Sequence, residues 1–97
     1  MIFNHWTKST EVRPSNIHGD GRFVLEPVAK GEMILLMDTP PDLLEPHKHQ
    51  TYINHSYAAN ITLRNDREFY ALRDIETGEE LVWDYRELNV DVPKDWR

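Results

Sequence analysis

Cysteine is absent from this sequence, which excludes disulfides and every thiolate metal site, zinc–cysteine clusters included. Long apolar runs are absent too. The longest, Met33 to Met37, is far too short to span a bilayer. The opening residues, MIFNHWTKST, lack the basic start and long apolar core of a secretory signal. The chain is therefore expected to be intracellular and cytoplasmic, with no membrane partner. Cations are in the minority: 11 Lys and Arg against 17 Asp and Glu give a formal net charge of −6. Direct nucleic-acid binding needs clustered Lys and Arg against phosphates, so none is expected. An acidic surface keeps a small domain soluble, and it attracts basic partners such as a Lys-rich protein tail.

What is present fits one domain. At 97 residues the chain has no room for a second core, and roughly two-thirds of its unfolded surface should be buried. Helical periodicity is nearly lacking, and short apolar stretches alternate with turn signals, so the fold class is mostly β. The pattern predicts strands at Phe3 to Trp6, Arg22 to Glu26, Met33 to Met37, Ile61 to Arg64, Glu68 to Leu72 and Leu81 to Trp83. Asn65-Asp66 is the tight turn of a hairpin that faces Ile61 and Leu63 inward, matched by Phe69 and Ala71. Lys30-Gly31-Glu32 and Thr77-Gly78-Glu79 read as similar turns, too brief to be a repeat. Pro40, Pro41 and Pro46 make Asp38 to Gln50 a loop, with at most one helical turn at Asp42 to Glu45. The tail from Leu88 to Arg97 ends near Trp96, a side chain large enough to dock against the domain.

Four motifs carry chemistry, and each alone has a plain structural reading. SNIHGDGRF, Ser15 to Phe23, contains a G-x-G turn that lets backbone approach a ligand, though such pairs are mostly turns. It lacks the third glycine and helix of a dinucleotide fingerprint. His47 and His49 would hold a metal only with further ligands, and none is paired with them, so no metal is expected. NHSYAAN, Asn54 to Asn60, reads equally well as a turn built on side-chain-to-backbone bonds. GEELVWDY ends in Tyr85, which fits a core or interface position as well as a site.

Taken in order, SNIHGDGRFVLEPVAKGEMI, YINHSYAAN and ALRDIETGEELVWDY resemble a SET domain over about Val12 to Glu87, with 88–97 as a C-terminal tail. The resemblance implies a β-clip-like fold of short strands in small sheets, closed by a C-terminal pseudoknot that joins the two later motifs. It implies a protein-lysine N-methyltransferase using S-adenosyl-L-methionine, acting on a basic, Lys-containing protein. It places His18, Gly19, Asp20, Gly21, Asn54 and His55 at the cofactor, Trp96 as its lid, Tyr52 and Trp83 at the substrate, and Tyr85 as the catalytic tyrosine. Such an enzyme must align amine, methyl and sulfur, and positioning of this kind can lower a barrier by about 7–11 kcal/mol. Neutralising a lysine of pKa about 10.4 at pH 7 costs roughly 4–5 kcal/mol, which an apolar channel and a nearby cation reduce.

Departures from the family pattern are specific. Tyr57 stands where the family has Cys, Ala59 where it has Pro, Thr51 where an Arg often precedes the motif, and Trp83 where Phe or Tyr is usual. Between the K-G-E turn and Asn54 only Met33 to Ile53 remain, and the flanking cysteine-rich modules are missing. The expectation is a minimal, stand-alone enzyme of bacterial or viral type (in the host cell or nucleus if viral). A homodimer would supply the missing walls. The alternative is a non-catalytic SET-fold interaction module that has lost its substrate groove.

Overall fold

Alternation of apolar and polar side chains builds the centre of the fold. The structure, a computed structural model, describes residues 4–38 and 51–88. Its strands are β1 (Asn4–Trp6), β2 (Thr10–Pro14), β3 (Asp20–Val24), β4 (Met33–Met37), β5 (Asn54–His55), β6 (Ile61–Arg64), β7 (Glu68–Ala71) and β8 (Val82–Trp83), followed by a 3-10 helix at Tyr85–Leu88. They form one six-stranded sheet, ordered β1-β4-β7-β6-β8-β5, and a separate β2–β3 hairpin. The expectation of a mostly β fold with very little helix is met. Among the described residues no helix is long and apolar enough to cross a membrane.

The β6–β7 hairpin has the expected register, with Ile61 opposite Ala71 and Leu63 opposite Phe69. Asn65 and Asp66 both take positive φ, 52° and 64°, the backbone that a two-residue hairpin turn demands. β4 pairs with β7, and its register shifts between Met33 and Leu35. A bulge of this kind turns successive side chains toward one side, and the adjacent Ile34 and Leu35 are both buried. With Val24, Phe69, Ile75 and Leu81 they belong to the hydrophobic core.

Two strands were not expected. β2 carries a single apolar residue, the exposed Val12, and ends in Pro14, which is tolerated on an edge. β5 is only two residues long, and its partner lies far along the chain. The β3 strand starts earlier than expected, at Asp20, and stops at Val24, although Leu25 N–H still bonds Ser9 O at 2.9 Å in the same register. The two similar turns also meet. Val28 and Ile75 exchange backbone bonds of 2.9 and 2.8 Å, and Gly31 and Gly78 each adopt left-handed φ, 87° and 92°. Each following glutamate folds back to cap its own turn, Glu32 on Ala29 N–H and Glu79 on Glu76 N–H.

The expected C-terminal threading is seen in the order of strands. β8 lies between β5 and β6 and runs parallel to both, so the 56–60 connection has to cross it to join them. Chains usually avoid such crossings. Asn60 fastens this one: its Nδ2 donates to Glu80 O at 2.8 Å and its Oδ1 accepts from Val82 N–H at 2.9 Å. Its backbone N–H donates to Val82 O and its carbonyl accepts from Leu72 N–H, so this buried side chain has its bonds made. Phe3, Asp42 to Glu45, His47, His49 and Trp96, named in the sequence reading, lie outside the described residues.

Candidate functional site

The β2–β3 hairpin carries SNIHG as its loop, and Ser15 organises it. The Ser15 hydroxyl accepts from Ile17 N–H at 2.9 Å and donates to the Glu80 carboxylate, whose oxygens lie 2.8 and 2.9 Å away. Gly19 takes φ of 48°, and the space where a Cβ would stand is open. Asn54 of β5 reaches into this loop. Its Nδ2 lies 3.1 Å from His18 O, 3.2 Å from Asp20 O, 3.2 Å from Ser15 Oγ and 2.9 Å from Glu80 Oε2. Two protons serve at most two of these oxygens at once, so the amide nitrogen is held from all sides. Its Oδ1 accepts nothing from the described residues. Gly21 is buried in the same node: a Cβ there would meet Glu80 Oε2 at 2.4 Å and Ser15 Cβ at 3.1 Å.

The parallel β5–β8 pairing sets Asn54 opposite Val82 and His55 opposite Trp83. Two residues later the chain turns into the 3-10 helix, and Tyr85 folds back on β5. Its N–H donates to His55 Nδ1 at 3.1 Å, and its hydroxyl donates to Ile53 O at 2.6 Å. The phenol ring sits between His55 and Trp83, with centroids 5.2 and 5.3 Å away. Burial pushes the Tyr85 phenol up to about 12, so it keeps its proton throughout the physiological range. It is a donor and an orienting dipole, not a base.

His55 is buried, and that burial pushes its imidazole below the ordinary value. The nearby Asp84 carboxylate opposes the shift and Arg86 adds to it. A ring whose Nδ1 accepts from Tyr85 N–H carries its neutral-state proton on Nε2. Tyr57 stands edge-on to His55 at 4.6 Å, and the Arg86 guanidinium, ion-paired to Asp84 at 2.6 Å, lies 4.3 Å above the Tyr57 ring.

Trp83 is 2% exposed and packs edge-on against Phe69 at 5.0 Å. Its indole N–H donates to the Glu87 carboxylate, which also accepts from Thr62 Oγ1 at 2.6 Å and Leu63 N at 3.0 Å. Trp83 thus stands in the core, in tilted contact with the Tyr85 ring. Tyr52 is half-buried with φ of 57°, beside the Arg22 guanidinium, whose carbon lies 6.0 Å from the Tyr52 ring centroid. Burial lowers the Arg22 pKa from its usual value, partly offset by Tyr52.

His18, Gly19, Asp20, Gly21, Asn54, His55 and Tyr85, drawn from three distant motifs, therefore stand in one contiguous network. Two members escaped the sequence reading. Glu80 stood inside the GEELVWDY motif with no role assigned to it, although a carboxylate beside Gly21 and Asn54 is the hub of the node. Arg22 was read only as a strand residue, and a cation opening a strand after G-x-G was the available signal. Among the described residues no group of three or more His, Asp or Glu side chains is arranged to hold a metal.

Comparison with known proteins gives a consistent picture. The SET domain family model matches residues 36–86. No curated protein matches the chain. A structure of ctPRC2 in complex with H3K27me3 and H3K27M superimposes with a TM-score of 0.63 at 23% identity, covering 80% of this chain and 14% of that one. The crystal structure of the Chaetomium thermophilum polycomb repressive complex 2 superimposes with a TM-score of 0.62 at 22% identity, covering 80% and 15%. The chain therefore spans only a small part of the length of these neighbours, and the likeness is one of fold.

Proposed function

The chain belongs to the SET domain family, and from that premise we propose that it is an S-adenosyl-L-methionine-dependent protein-lysine N-methyltransferase. The observation that carries the reading is the β5–β8 pairing, which puts Tyr85 on His55 while Asn54 grips the G-x-G loop. The residues fit the methionine end of that cofactor. Space is open over Gly19, Asn54 Oδ1 accepts from no described residue, and the Glu80 carboxylate bonded to Asn54 Nδ2 suits a ligand bearing positive charge. In this reading His18, Gly19, Asp20, Gly21, Asn54 and His55 hold the cofactor, which when bound supplies an electrophilic methyl group on a sulfonium. No metal takes part.

The protein's own contribution is alignment. Tyr85 keeps its proton, bonded to Ile53 O, and turns its oxygen lone pairs to a substrate N–H or a polarised C–H. Two oxygens 2.6 Å apart, those of Tyr85 and Ile53, concentrate partial negative charge that would stabilise cationic character brought next to them. A lysine entering beside this half-buried phenol loses hydration, which lowers its pKa and yields the neutral amine the transfer requires. The partner is a basic protein segment bearing that lysine, drawn by the net charge of −6.

Methyl transfer from the labelled cofactor to a lysine-rich basic protein tests the reading. Tyr85→Phe should lower kcat by about 100-fold or more, with cofactor affinity by calorimetry nearly unchanged. Equal activity in parent and variant removes Tyr85 from the chemistry. Failure of the parent to bind cofactor leaves a SET-fold interaction module in its place.

A further inference from the structure

We infer that Arg22 is a positioning residue for Tyr85, acting by holding the Thr51–Ile53 segment whose last carbonyl receives the Tyr85 hydroxyl. Its consequence for activity rests on the methyltransferase reading, while its geometry does not. Arg22 follows Gly21 on β3, and its side chain leaves the hairpin for the segment that precedes β5. Its Nε donates to Thr51 O at 2.9 Å, and Nη1 lies 3.4 Å from Thr10 Oγ1. The guanidinium carbon stands 4.5 Å from the Trp6 ring centroid and 6.0 Å from that of Tyr52. A half-buried cation with an aromatic face and a directed carbonyl acceptor is fixed in both place and orientation.

The residue after that carbonyl is the strained one. Tyr52 has φ of 57°, a backbone region a bulky side chain keeps only where its surroundings enforce it. The conformation at Tyr52 sets the course of the chain into Ile53, and Ile53 O accepts the Tyr85 hydroxyl at 2.6 Å. Arg22 to Thr51, the turn at Tyr52, and Ile53 to Tyr85 thus form one continuous path. It starts beside Gly21 and ends at the phenol, so it ties the G-x-G hairpin to the tyrosine. Without the guanidinium, Thr51 O loses its donor and the left-handed Tyr52 loses its support, and the Ile53 carbonyl is free to turn.

Two measurements on Arg22→Met, which keeps an unbranched apolar stem but neither charge nor donor, test this. The first needs no cofactor: the ring Cζ shift of Tyr85, in tyrosine-labelled protein and assigned with Tyr85→Phe, reports its hydroxyl bond. It should move toward that of a solvent-exposed tyrosine. The second is kinetic: kcat should fall between about 10- and 100-fold while KM for the cofactor changes little. An unmoved Tyr85 signal overturns the inference whatever the activity does. A shifted signal in a protein whose parent has no methyl transfer keeps the inference and sinks the methyltransferase reading. If Arg22→Met does not fold, Arg22→Lys carries the same spectrum. Lysine can stack on Trp6 but lacks the planar fork, so an intermediate shift is expected and a parent-like one overturns the inference.

Discussion

In the β4–β7–β6 meander the strands are four or five residues long, antiparallel, and lined by Ile34, Leu35, Phe69 and Ile61, all fully buried. In the β5–β8 pair each strand has two residues, the pairing is parallel, and the ladder is too short to hold itself. Side chains make up the difference there: Asn60 on Glu80 and Val82, Asn54 on the hairpin loop, His55 on Tyr85 N–H. Apolar burial is non-directional and scales with area, so it tolerates small displacements. Hydrogen bonds depend on single atoms within a few tenths of an ångström. Stability in this fold is therefore concentrated in the meander, and geometric precision in the pair.

Substitutions can break or sharpen that contrast, beginning with the largest. Phe69→Ala should cost about 3–5 kcal/mol in denaturant unfolding, a large share of a small domain's stability. A loss near 1 kcal/mol would mean the meander is not the main source of stability. Asn60→Leu keeps the branched shape but leaves Val82 N–H and Glu80 O without their partners, so roughly 2–4 kcal/mol should be lost. A neutral result would show that the threaded strand is held by area after all.

Gly21→Ala places a methyl against the Glu80 carboxylate, which must then release Asn54 and Ser15. It should cost about 1–2 kcal/mol and weaken cofactor binding more than its stability loss alone accounts for. Adding Glu80→Ala should return part of that stability, since the two sites share a contact. Additive losses would contradict a shared node.

The smallest effect is in pH. The folded pKa of His55 lies below the ordinary value near 6.5, so the unfolded chain takes up its proton first. The His55 contribution is whole above about 6.5 and is lost as pH falls from there through the folded pKa. His55→Asn, which keeps an acceptor for Tyr85 N–H, should remove that part of the acid decline. A variant that declines as steeply as the parent assigns the effect to other groups.

Local pattern made the meander legible. Ile61, Leu63, Phe69 and Ala71 alternate, Asn65-Asp66 takes positive φ, and the expected pairs fall opposite one another. β2 and β5 were not legible, because an exposed TEVRP stretch and a two-residue strand carry no periodicity. Glu80 and Arg22 were missed for a related reason: each acts on atoms far away in sequence, Ser15, Gly21 and Asn54 for one, Thr51 and Trp6 for the other. A lone charged residue in a strand or turn looks like surface until its partners arrive.

Residue types and their order were enough to determine a mostly β fold, its central hairpin, and the three motifs that resemble a SET domain. Whether those motifs form one site was decided only by the threading of β8 between β5 and β6. That step joins residues about thirty positions apart, Tyr85 and His55 among them. Periodicity records which face of an element is buried against its neighbours. It carries no record of which distant strand that neighbour is, and here that strand orients the phenol.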